Sequence, residues 1–96
     1  MFFARWFGRR RPRPDLHFIL FTRSGCCLCD DAWAILEKAQ QRHGFTLETI
    51  DVDASPELTA RYGDCVPVVL VNGKVRFRGK INEVLLRRIL NHMLPE

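Results

Sequence analysis

An apolar run, His17–Phe21, passes within a few residues into a helical stripe, and the join reads Thr22-Arg23-Ser24-Gly25-Cys26-Cys27-Leu28-Cys29. A C-x-x-C pair at a strand-to-helix junction constrains this chain more than any other feature. The first turn of a helix presents unpaired N–H groups and the positive end of its dipole. Sulfur placed there ionises more readily, and the thiolate is the reactive form. Cys26 and Cys29 are three residues apart on one helix face, close enough to exchange a disulfide. That is the geometry of a reversible dithiol.

The rest of the chain supplies alternating strand and helix signals. His17–Phe21 is nearly continuous in apolar character, as expected of a strand buried on both faces. From Cys27 to His43 the apolar positions Leu28, Ala32, Ile35, Leu36 and Ala39 form a helical stripe that Gly44 stops. Thr46–Val52 reads as a strand. Ser55-Pro56-Glu57 opens a short helix with a capping residue and proline in the first turn, ending near Tyr62-Gly63. Val66–Val71 is a second apolar run, and Asn72-Gly73 is a hairpin signal into Lys74–Arg78. Asn82 can cap a last helix carrying Val84, Leu85, Ile89, Leu90 and Met93. The order is β-α-β-α-β-β-α, which predicts a four-stranded mixed α/β sheet flanked by helices. The opening β-α-β requires a parallel pair, and the hairpin adds an antiparallel edge.

Charge divides the 96 residues into a tail, 1–14, and a domain, 15–96. The tail carries Arg5, Arg9, Arg10, Arg11 and Arg13 with no acidic residue, whereas the remainder holds one more acid than base. A specific nucleic-acid binder is therefore not expected of the domain. Pro12 and Pro14 deny the tail regular structure, and a disordered extension is the plain expectation. The sharper alternative is weak contact with a membrane or other anionic surface, with Phe2, Phe3, Trp6 and Phe7 dipping into lipid. A short organellar transit segment is a third. No run approaches the roughly 18 apolar residues of a membrane span, and the start lacks the order of a secretion signal. The expected compartment is the reducing cytoplasm, where C-x-x-C denotes catalysis or metal rather than a structural staple.

With Cys26-Cys27-Leu28-Cys29 after the first strand and Val66-Pro67 opening the third, residues 15–94 resemble the thioredoxin fold in its short glutaredoxin-like form. The turn Phe21 to Cys29 is similar to that of glutaredoxins. Asp51-Val52-Asp53-Ala54-Ser55-Pro56-Glu57-Leu58 and Val66-Pro67-Val68 look more like thioredoxin. The small bacterial glutaredoxin-like proteins with a C-x-L-C motif match best. The resemblance implies a thiol–disulfide oxidoreductase in which Cys26 is the exposed nucleophile and Cys29 the resolving thiol. It also implies that Pro67 is cis and that Val66 pairs its backbone with an extended substrate. Arg23, where glutaredoxins often carry lysine, is expected to favour the thiolate or hold a substrate carboxylate. The implied partners are disulfide-containing proteins or small thiols and an upstream reductant, with no bound cofactor and no metal.

Glutaredoxins hold glutathione partly through a G-G-x-D turn, which here reads Gly79-Lys80-Ile81-Asn82. Lys80 replaces a glycine, and the neutral Asn82 replaces the acid that would meet the tripeptide's ammonium. Glutathione remains a candidate reductant without its usual charge partner. Thioredoxin's buried strand carboxylate is also missing from His17–Phe21. Two other readings stand beside the enzyme. One is a soft-metal or iron–sulfur site using the Cys26–Cys29 motif with Cys65, which precedes Val66-Pro67. The other is a non-catalytic, redox-sensing adaptor. Cys27 is expected to be a bystander. His17 is read as a strand residue, His43 as a cation at a helix end and His92 as a surface residue. Trp33 and Tyr62 are read as packing, with Tyr62 near the groove, and Asp51/Asp53 as closing a strand end.

Overall fold

The computed structural model describes residues 15–91. The expectations for the tail, for His92 and for Met93 fall outside them. The elements are β1 (His17–Thr22), α1 (Cys27–His43), β2 (Thr46–Asp51), a 3-10 turn (Val52–Ala54), α2 (Pro56–Tyr62), β3 (Val68–Val71), β4 (Lys74–Arg78) and α3 (Glu83–Asn91). The sheet order is β2-β1-β3-β4. β1 and β2 are parallel, with His17 opposite Thr46 and Thr22 opposite Asp51. β3 lies antiparallel to β1, with Phe21 opposite Val68, and β4 is antiparallel to β3. Asn72 and Gly73 turn that hairpin with φ of 51° and 87°. Both angles are the left-handed values a two-residue turn needs, and Asn and Gly reach them at low cost.

Side-chain alternation gives the sheet two unequal faces. On one, Phe18, Leu20, Val69, Val71 and Phe77 pack against Ala32 and Leu36 of α1 and Leu86, Ile89 and Leu90 of α3. Phe18 stacks on Phe45 with ring centroids 4.2 Å apart. On the other face, among the described residues, the buried cluster is Phe21, Val52 and Val68, with Ile19, Ile50, Leu58, Tyr62 and Leu70 half-buried around it. β1 is therefore buried fully on one face and partly on the other, because α2 is only seven residues long and has no buried residue of its own.

Two further expectations change. β2 ends at Asp51, and Val52 enters the 3-10 turn because the Asp51 carboxylate accepts the Asp53 N–H at 2.9 Å. β3 starts only at Val68, since Val66-Pro67 is cis and precedes it. His43 stands in the last turn of α1, as read, and is buried there. His17 does lie in β1, its Nδ1 2.6 Å from the Thr46 hydroxyl and its Nε2 3.0 Å from Glu48. Among the described residues no helix is long and apolar enough to cross a membrane.

Candidate active site

Cys26 occupies the N-cap of α1, a position usually filled by Ser, Thr, Asp or Asn because their oxygens accept first-turn N–H groups. Here the acceptor is sulfur. With extended backbone (φ −100°, ψ 108°), Cys26 accepts the Cys29 N–H on Sγ at 3.2 Å. Its carbonyl accepts the N–H groups of Cys29 and Asp30 at 3.1 and 3.2 Å. The sulfur thus stands at the positive end of a 17-residue helix. It is half-buried, less open than the resemblance implied.

Cys29 is a different thiol. It is 3% exposed, and burial, followed by its hydrogen bond with Cys26, pushes its pKa up to about 11. A backbone hydrogen bond from Arg23 offsets this in part. The pair is therefore asymmetric: one sulfur at a helix terminus with access to solvent, one protonated beneath it. Cys27 is exposed and Cys65 is half-buried.

Arg23, at the exit of β1, is fully engaged by protein groups. Its Nε and Nη2 donate to both oxygens of Asp53 at 3.0–3.2 Å, and its Nη1 donates to the Gly63 carbonyl at 3.0 Å. The bond to Asp53 raises its pKa further. Whatever positive charge Arg23 lends the thiols is balanced by Asp53, and its clear role is to tie the loop before α1 to the end of α2. Gly63 permits this closeness. A Cβ there would lie 2.5 Å from the Thr59 carbonyl oxygen and 3.3 Å from Arg23 Nη1.

The remaining expected residues gather at the same end of the sheet. Pro67 is fully buried and its carbonyl accepts the Gly79 N–H at 2.7 Å, which holds the Gly79–Asn82 loop beside it. Among the described residues the Val66 backbone has no hydrogen-bond partner. Cys65 donates its N–H to the Tyr62 carbonyl at 2.8 Å, and with Val66 it packs around Phe21, on which Tyr62 stacks at 4.6 Å. Asn82 is a working cap, its Oδ1 accepting the Val84 and Leu85 N–H groups at 2.9 and 3.1 Å. Lys80 is exposed. Among the described residues no group of three His, Cys, Asp or Glu side chains is placed to hold a metal ion.

Sequence reasoning missed a cleft of about 290 Å³ on the β2 side of α1, lined by Cys29, Asp30, Trp33, Thr49 and Asp51. Trp33, read as packing, is 38% exposed there. Its i+4 spacing from Cys29 was the available signal.

Residues 17–91 match the family described as Glutaredoxin-like domain (DUF836). The chain belongs to this glutaredoxin-like family. It is 37% identical over 80 residues to the Mycobacterium bovis protein Mb0520, covering 78% of this chain and 80% of that one. It is 33% identical over 75 residues to a Dictyostelium discoideum glutaredoxin-like protein, YDR286C homolog, covering 72% and 69%. Among solved structures, a single-substitution mutant of a thioredoxin from Halobacterium salinarum superposes with a TM-score of 0.63 at 21% identity, covering 84% of this chain and 79% of that one. That likeness shows the thioredoxin fold.

Proposed function

We propose that this glutaredoxin-like domain is a thiol–disulfide oxidoreductase acting in the reducing cytoplasm. The observation that carries the reading is the asymmetry of the pair: Cys26 Sγ at the α1 N-cap and Cys29 buried one turn on. The Cys26 thiolate attacks one sulfur of a substrate disulfide, forming a mixed disulfide and releasing the other sulfur as a thiolate that takes up a proton. Cys29 then loses its proton and attacks Cys26, forming the Cys26–Cys29 disulfide and expelling the reduced substrate. Two electrons have passed from the dithiol to the substrate, and an upstream reductant restores the pair. Val66, whose backbone groups lack partners among the described residues, would pair with an extended substrate beside Pro67. Substrates are disulfide-bearing proteins or small disulfides.

Glutathione as reductant would have to bind without an acid at position 82, where Asn82 spends its side-chain oxygen on α3. Asn82→Asp keeps that cap and adds the charge, so it should raise glutathione-dependent turnover. The test of the main reading is a reductase assay on the purified full chain, with glutathione and glutathione reductase or thioredoxin reductase as electron source. Cys26→Ser should lose turnover, and Cys29→Ser should accumulate a mixed disulfide detectable by mass. Turnover retained by Cys26→Ser would reverse the assignment, and a dithiol that oxidises without turning over any disulfide would favour the adaptor.

A further inference from the structure

The dithiol has two flanks of opposite charge. On the β4 side, past Pro67, Arg78 stands opposite Val68 and Lys80 is exposed. On the β2 side is the cleft of about 290 Å³, with Cys29, Asp30, Trp33, Thr49 and Asp51 around it. Thr49 and Asp51 pair with Leu20 and Thr22, so alternation puts them on the face of the sheet that α1 covers. Among the described residues no cation pairs with Asp30 or Asp51. Asp51 uses one oxygen to accept the Asp53 N–H at 2.9 Å. Arg23 is committed to Asp53 and Gly63, and it also lies in the field of Asp64 and Asp51. Negative charge is therefore in excess on this flank, and the same cleft holds an indole left 38% exposed, that of Trp33.

We propose that this cleft is a substrate subsite for a cationic side chain, so that the preferred substrates are disulfide proteins with a lysine or arginine close to the reacting cysteine. The inference rests on the oxidoreductase reading and adds a substrate class to it. Three properties of the cleft suit such a group. An ammonium or guanidinium over an indole face is attracted by the ring quadrupole. Its alkyl stem covers the apolar ring while its charged end stays near water and the two carboxylates. The site is also within reach of the chemistry, because Cys29 borders the cleft and Cys26 lies one turn away. Charge at long range works in the other direction: the whole chain carries +4 and draws acidic molecules. A preference for a cation beside the disulfide must therefore come from the cleft, where close approach and low screening let local charges dominate.

The test uses the reduced full chain carrying Cys27→Ser and the disulfide dimers of a blocked tetrapeptide, alanine–cysteine–alanine–X amide, with X lysine, glutamine or glutamate. In each reaction the Cys26 thiolate displaces one peptide thiolate and Cys29 then displaces the other, so two protein thiols are oxidised and two peptide thiols form. The rate is the loss of alkylatable thiols, followed by mass. The lysine peptide should outrun the glutamate peptide by about tenfold at low salt, and less as salt rises. Asp30→Asn and Asp51→Asn should each lower the lysine-to-glutamine rate ratio about threefold, and Trp33→Leu about twofold. Asp31→Asn removes the same charge outside the cleft and should change the ratio least. Independently of the thiols, alanine–alanine–alanine–lysine amide should shift the Trp33 indole N–H resonance, and its glutamate counterpart should not. Faster reaction of the glutamate peptide would put the Arg78 and Lys80 flank in control and overturn the proposal. So would an equal effect of Asp31→Asn, or an indole resonance unmoved by the lysine peptide. Neither the first-turnover ratios nor the resonance needs a reductant, so absence of turnover with either reductase would fail the oxidoreductase reading while these readouts still judge the cleft.

Discussion

Among the described residues each face of the sheet holds a stacked aromatic pair, and the two pairs live in different surroundings. Phe18 and Phe45 are sealed between the sheet and the α1/α3 layer, at 0% and 1% exposure. Phe21 and Tyr62 stack at nearly the same separation, yet Tyr62 is half-buried and shares its cluster with Cys65 and Val66. The difference teaches where this fold keeps its stability and where it keeps its chemistry. The thick face supplies close-packed apolar area and tolerates no loss of volume. The thin face, covered by one short helix, leaves side chains and backbone partly open, where the proposed exchange would take place.

Deleting one ring from each pair is the strongest way to break that comparison. Phe45→Ala should cost about 3–5 kcal/mol, and Tyr62→Ala about 1–2 kcal/mol, both read by urea unfolding of the reduced protein. Equal costs would mean that the α2 face is part of the main core. The next effect lies at the boundary between the faces, in the protonation of Cys29. Its pKa is raised from an ordinary 9.0 to about 11 in the folded state, so between those values the folded chain keeps a proton the unfolded chain has released. This contribution is complete below pH 9 and is lost as pH rises through about 11. The stability of the reduced parent should therefore fall more steeply than that of Cys29→Ala across this range, by denaturant titration at each pH.

Smaller effects sharpen the picture. Asn82→Ala removes the α3 cap and should cost about 1 kcal/mol, measured by thermal unfolding, while Asn82→Asp should not. Arg23→Gln, which loses an exposed pair with Asp53, should alter stability least of all. Its expected effect is on turnover, because it frees the loop before α1 from α2. A large loss of stability without a change in turnover would make Arg23 a purely structural clamp.

Much of this was legible in the sequence. The Asn72-Gly73 turn, the Ser55-Pro56 start and the Gly44 stop are local signals, decided by backbone conformations that few residues adopt cheaply, and each stands where expected. The unequal burial of β1 was not legible, because an apolar run reports hydrophobicity and not how much helix will cover each side. His43 shows the same limit: its position at a helix end is written in the sequence, but its burial depends on what packs over it. Trp33 beside Cys29 shows the converse, a large apolar residue left open in the cleft it lines with Thr49 and Asp51.

By itself the sequence determined the order of elements and the junction that puts Cys26 at a helix start, since these follow from local propensity and spacing; the family is shown by similarity over residues 17–91. Only the tertiary structure decided that the two thiols differ and that Arg23 is bound to Asp53 and Gly63. Desolvation, ion pairing and placement depend on groups distant in the chain, and their energies exist only once folding has brought those groups together.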